Sequence, residues 1–383
     1  MPALLFGAFV TLLLMVRTKD LQLYFVQNID ILLFCVVLFL GIINAEDQIN
    51  ATLYAVWNSA AFVCMLSYFY QIRKRSRTVR WWSLFQIVFW SNSIVLLLLV
   101  VHLHTLGTEW GYYMAFSEKF FYPYCLLSML MSIYGTQLFC DRSIYSFKSD
   151  RLNAGLQLFT IFLIFLFIFL GARRAVLFVG LFISFPYMFY AVGQRYWKKL
   201  SLFLLIAAFL IVTIPIVITY MSEYETEFKI LKKLSDIQEA GGDISKDSSY
   251  GERQKIWVQY WQIVEEHPII GVGAYNSRIV QEIWFEGTDT EGYSTHNLFM
   301  GVLVEHGFTG LTMLVVIMLR SLWISFRRLP LRSTLIYGFY IFIPILAINW
   351  NEYNLIPGQV FYWSTFLFLV APRMFMTKIA YKQ

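Results

Sequence analysis

The sequence predicts an all-α fold: a polytopic transmembrane helix bundle. Three observations predict it. Of 383 residues, 58% are hydrophobic and only 14% are charged, whereas a soluble domain carries about 25% charge. The apolar residues fall in runs of roughly 15 to 25, long enough to cross about 30 Å of hydrocarbon as helices. The runs do not alternate apolar with polar residues, as the strands of a membrane barrel would.

The runs come in order along the chain. Pro2–Val16 is short for a span and lacks the basic start and small-residue cleavage site of a cleaved leader. The second run ends near Ala45, before Glu46-Asp47. The third, about Ala51–Ile72, ends in Arg73-Lys74-Arg75-Ser76-Arg77, with Arg80 close behind. The fourth covers about Trp81–Leu103, with a short outer loop expected over His104–Lys119. The fifth covers about Phe120–Cys140, the sixth Ala154–Gly171, and the seventh runs from the Ala172-Arg173-Arg174-Ala175 turn to Gly193. The eighth reaches about Tyr220. After a long polar interval, a short helix over Asn297–Glu305 is interrupted at His306-Gly307, and Leu311–Phe326 completes the ninth span. Ser333–Asn349 is the tenth, and the eleventh ends near Pro372.

The expected organisation is therefore about 11 spans and one large, partly helical outer loop. Helices 1–8 occupy 1–220, the loop 221–295, and helices 9–11 296–383. Charge orients this arrangement. The five basic residues within 73–80 mark a cytoplasmic loop. Alternating sides from there puts the basic segments 17–20, 141–153, 194–200, 327–332 and the C-terminus inside. The interval 221–295 holds fourteen acidic against seven basic residues, and it falls outside. The net charge of +6 thus reflects basic loops on one membrane face, not a nucleic-acid partner. The four cysteines lie in or beside apolar runs, with neither a disulfide framework nor a zinc spacing.

The long loop closes on the most informative stretch, Tyr250–Gly310. Ile256, Trp257, Tyr260, Trp261, Ile263 and Val264 have the spacing of an amphipathic helix, on the membrane surface or against the bundle. Pro268 ends it. Gly271 and Gly273 allow a tight turn, and a second helix over about Asn276–Trp284 follows. His296 stands where polar loop meets apolar helix, which suits a base taking a proton from a sugar hydroxyl. A helix-capping or interface histidine fits the same position. Arg173 and Arg174 break the charge rule at an outer boundary. They read as headgroup-snorkelling side chains or as an anion site, since guanidinium groups bind phosphate oxygens bidentately. Arg253 opens the amphipathic helix beside Glu252, where a surface ion pair also fits, and Arg278 reads more readily as such a pair. No HExxH, Asp-x-Asp or Gly-rich phosphate loop is present, so neither a metal nor a nucleotide cofactor is expected.

These residues also form a pattern. Arg253-x-x-x-Trp257, then His267-Pro268-Ile269-Ile270-Gly271-Val272-Gly273, then His296-Asn297 with Glu305-x-Gly307-x-x-Gly310, resembles the signature of the bacterial O-antigen ligase and O-antigen polymerase superfamily. The 172–175 turn resembles that family's Ser-Arg-Gly-Ala-like turn, with Arg174 at a usually small position. The resemblance covers about 160–315. It implies a multi-pass glycosyltransferase of the bacterial inner membrane, with its active site on the periplasmic face. The donor would be a glycan on undecaprenyl diphosphate, and the acceptor lipid A-core or, for a polymerase, a lipid-linked glycan. The implied chemistry is metal-independent and inverting. His296 would be the base, and Arg173, Arg174 and Arg253 would bind diphosphate, with Asn297, Trp257 and Arg278 in support. A transporter or flippase is the rival from another class; Asp30, alone in an apolar run, is the feature that favours it.

Overall fold

The computed structural model describes residues 7, 10, 11, 14, 18–105, 108–170, 174–192, 248–288, 290–351 and 360–376. Every regular element among them is helical. Most of the expected first run and all of the eighth lie outside the described residues. The chain forms two compact units, Met1–Leu84 with Glu252–Gln383, and Phe85–Gly251.

The first unit begins with α1 (Lys19–Val26) and α2 (Ile29–Leu40), continued by a 3-10 turn over Gly41–Asn44. The expected second span is not one straight helix: its two halves are bent by 71°. The side chain of Asn28 explains the break, because its Nδ2 donates to the Tyr24 carbonyl at 2.8 Å. Side-chain to backbone bonds of this kind compete with the helix ladder. The Gln27 carbonyl, released at the break, accepts from Arg320 Nη2.

The bend sets Asp30 inside the protein. Arg373 donates to both of its oxygens, at 2.9 and 2.6 Å, and Arg320 adds a third bond at 2.8 Å. Arg373 also donates to Asn28 Oδ1, the Ile317 carbonyl and Ser321 Oγ, so all five of its guanidinium N–H groups have acceptors. Its side chain is 0% exposed. A lone acid in an apolar run is thus a fully bonded ion cluster.

α3 (Gln48–Ile72) starts at Asp47, whose Oδ1 accepts from the Asn50 N–H at 3.0 Å and whose Oδ2 accepts from Asn50 Nδ2 at 2.6 Å. Those bonds satisfy a first-turn donor that has no intrahelical partner. They also hold the Asp47 carboxyl below the usual carboxylate range. The expected tenth span runs as α-helix over Leu331–Ile336, π-helix over Tyr337–Phe342, and α-helix again over Ile343–Asn351. The wide turn stands just before Pro344, whose ring clashes with the carbonyl four residues earlier. A final helix, Val360–Val370, leads into the 3-10 turn Ala371–Phe375 that carries Arg373.

By length and apolarity, three helical stretches among the described residues can cross a membrane: 48–72, 298–328 and 331–349. The bent pair 19–44 makes a fourth if it counts as one span.

The second unit contains α4 from Phe85 onward (helix Arg77–Thr105), α5 (Thr108–Cys140), α6 (Asp150–Leu170) and α7 (Arg174–Val192). α5 packs on both α6 and α7. The expected loop over His104–Lys119 is mostly helix. Hydropathy marks where apolar sequence stops, and nothing in Thr108–Lys119 breaks a helix except the tolerated Gly111.

Candidate active site

The site is assembled on α8 (Ser248–Glu266), in the first unit from Glu252 onward, and α9 (Ser277–Trp284), in the same unit. α8 buries Ile256, Tyr260, Ile263 and Val264, one stripe of a helix. That stripe packs against Val272, Val280, Leu303 and Val304. Each such side chain contributes about 1.5–3 kcal/mol when fully buried. Four of the six residues of the expected amphipathic face are thus buried in the protein and Trp257 packs partly beside them, whereas Trp261 is exposed.

The same helix straps down the segment that leads to His296. Trp257 Nε1 donates to the Thr295 carbonyl at 2.8 Å, and the Tyr260 hydroxyl to the Tyr293 carbonyl at 2.7 Å. Burial raises the Tyr260 phenol above its ordinary pKa, which keeps that proton in place. From α9, Gln281 donates to the Thr290 carbonyl and accepts from the Gly292 N–H.

His296 follows, half-buried, with φ 46°. A residue with a Cβ pays for that left-handed conformation, and such strain persists only where the surroundings enforce it. Asn297 is next. Its Oδ1 accepts from the N–H groups of Phe299 and Met300 and so caps α10 (Leu298–Arg328).

α10 carries a sharp break. Gly307 has φ 61° and ψ −167°, a region essentially restricted to glycine. The break turns the 298–306 arm back on the rest of the helix. A Cβ on Gly310 would stand 3.5 Å from Val302 Cγ1, although eight residues of straight helix span about 12 Å. Leu298 lines one cavity with Leu314 and Met318.

The His267–Gly273 turn fills the notch. Val272 and Gly273 donate to the Val304 and Glu305 carbonyls, each at 2.9 Å. In the other direction, Phe308 and Thr309 donate to the Pro268 and Ile269 carbonyls. The exposed backbone of the break is thereby satisfied. The contact is too close for a side chain: a Cβ on Gly271 would meet Glu305 carbon and Val304 oxygen at 2.4 Å.

The remaining candidates sit as follows. Arg253 lies on α8 one turn before Trp257, half-buried. Arg278 is exposed and pairs with Glu282 at 3.0 Å, an i, i+4 surface pair. Arg174 is the first residue of α7, in the other unit, and Arg173 lies outside the described residues. One buried carboxylate was not singled out by the sequence: Glu305, which accepts from Ser277 Oγ at 2.8 Å. Its only sequence signal is its place in the Glu305-x-Gly307 pattern.

Residues 158–315 match the family model described as O-antigen ligase. This segment is similar to the O-antigen ligase family and supports the O-antigen ligase/polymerase superfamily. None of the curated proteins matches the chain. The O-antigen ligase segment takes in Arg173, Arg174, Arg253, Trp257, His296 and Asn297, and ends just beyond the Gly307 break. That similarity supports a membrane enzyme of the O-antigen ligase/polymerase type, with glycosyltransferase-like activity on lipid-linked glycans.

Proposed function

We propose that this O-antigen ligase family protein transfers a glycan from undecaprenyl diphosphate to a sugar hydroxyl of lipid A-core, at the periplasmic face of the inner membrane. The observation that carries this reading is His296. It is held in a left-handed conformation at the tip of a folded-back helical arm, between backbone strapped by Trp257 and a cap supplied by Asn297.

In the proposed step the acceptor oxygen attacks the anomeric carbon opposite the diphosphate, giving inversion. The new C–O bond forms as the bond to diphosphate oxygen breaks. His296 takes the hydroxyl proton, and Arg253 balances the charge that builds on the leaving diphosphate, the role that the family resemblance also implies for Arg173 and Arg174. No metal takes part. Trp257 and Asn297 position His296, and Arg278 stands at the edge of the site.

The test is an assay of purified protein with a defined lipid-diphosphate donor and two acceptors, lipid A-core and a lipid-linked repeat. Transfer to lipid A-core is expected, unaffected by chelator, and His296→Ala lowers it by roughly 10²–10⁴-fold. Full activity of that variant removes the base assignment. Transfer only to the lipid-linked repeat identifies a polymerase. No transfer, with labelled lipid crossing vesicle membranes, identifies a transporter.

A further inference from the structure

Beyond the break, α10 runs 19 residues from Phe308 to Phe326 before Arg327-Arg328. That length is about 27 Å, close to the roughly 30 Å thickness of the hydrocarbon layer. Phe308, Val315, Leu319 and Phe326 are all exposed and repeat on one helical stripe. With the arginines at one headgroup boundary, Phe308 stands at the other. The 267–270 turn is bonded to that level: Phe308 and Thr309 donate their N–H groups to Pro268 and Ile269, at 2.8 and 3.2 Å. Ile269 is 67% exposed there. The His267 ring lies 6.4 Å from the Trp284 ring, and Trp284 is 42% exposed. This patch is separate from the buried apolar face of α8, and its turn is bonded to the first residues of the outward stripe of α10.

We infer that Ile269 and Trp284 form a lipid seat, entering the acyl–headgroup boundary of the leaflet opposite Arg327 and Arg328. The occupant is phospholipid, because the patch adjoins the exposed apolar stripe of a helix long and apolar enough to cross a membrane. An amphipathic indole suits that depth. The seat fixes the height of the α8–α9 module whatever reaction the module performs.

The test places an environment-sensitive fluorophore on Ile269→Cys, with Trp284→Cys as a second position. The protein is held in nanodiscs of phosphatidylethanolamine and phosphatidylglycerol. Glu265→Cys and Leu319→Cys serve as aqueous and deep references, and the unsubstituted protein gives the labelling background of the native cysteines. At 269 and 284, lipid with a doxyl group high on the acyl chain should cause a larger loss of emission than at 265, and iodide a smaller one. Iodide quenching equal to that at 265, without doxyl quenching, overturns the inference. Shielding from both quenchers also overturns it and assigns the patch to a second copy of the chain. Should one labelled variant fail to fold, the other reads the same boundary.

Discussion

Gly307 and Ile269 touch backbone to backbone: a Cβ on Gly307 would stand 2.3 Å from both the carbon and the oxygen of the Ile269 carbonyl. The turn and the broken helix hold each other in shape. Gly307→Ala should therefore destabilise the protein by more than the roughly 1–3 kcal/mol of backbone strain alone. Gly155→Ala, in a helix where nothing lies within 4 Å, should be neutral or stabilising. Thermal unfolding in detergent compares the two. Equal midpoints would mean that the turn does not grip the break.

At position 296 the strain can be separated from the chemistry. His296→Ala and His296→Gly both remove the imidazole, but only glycine adopts φ 46° freely. The Gly variant should be more stable than the Ala variant by ~1 kcal/mol. Both should lose glycan transfer to the same degree. A Gly variant that unfolds more easily would show that the left-handed geometry is not enforced.

Asp30 is held by two guanidinium groups, and removing it leaves both in an apolar setting. Asp30→Ala should cost on the order of 3–5 kcal/mol, read as a loss of monodisperse protein or a lowered melting midpoint. Arg373→Met should cost less, because Arg320 still pairs with the acid. Wild-type stability of Asp30→Ala would refute a structural role.

The Asp47 cap gives an acid-side dependence. Its carboxyl is held below the ordinary value near 3.9, so its bonds contribute fully above that value. The contribution fades as pH falls through the lower folded-state value. The melting midpoint of the wild type should drop below about pH 4. Asp47→Asn, which keeps an acceptor without a charge, should show a shallower drop.

Much of this was legible in the residues. The α8 stripe and the interruption at Gly307 both follow from spacing and from glycine placement. The fold-back of the 298–306 arm did not, because a glycine announces a break but not its angle. The angle comes from backbone bonds to residues 268–273, more than thirty positions away. Hydropathy likewise marked where apolar sequence stops near 104 but not the helix that begins at Thr108. Asp30 looked anomalous because its ligand Arg373 is 343 residues distant. Arg278 had a visible alternative four residues on, and Glu282 supplies it.

That separation bears on how the protein is made. Asp30 is translated and inserted long before Arg320 or Arg373 leaves the ribosome. During that interval the nascent chain holds a carboxyl group with no cation of its own, costly to keep in lipid. The early bent pair must therefore be tilted toward headgroups or sheltered by the insertion machinery until the late arginines arrive. The final turn then acts as the latch that completes assembly.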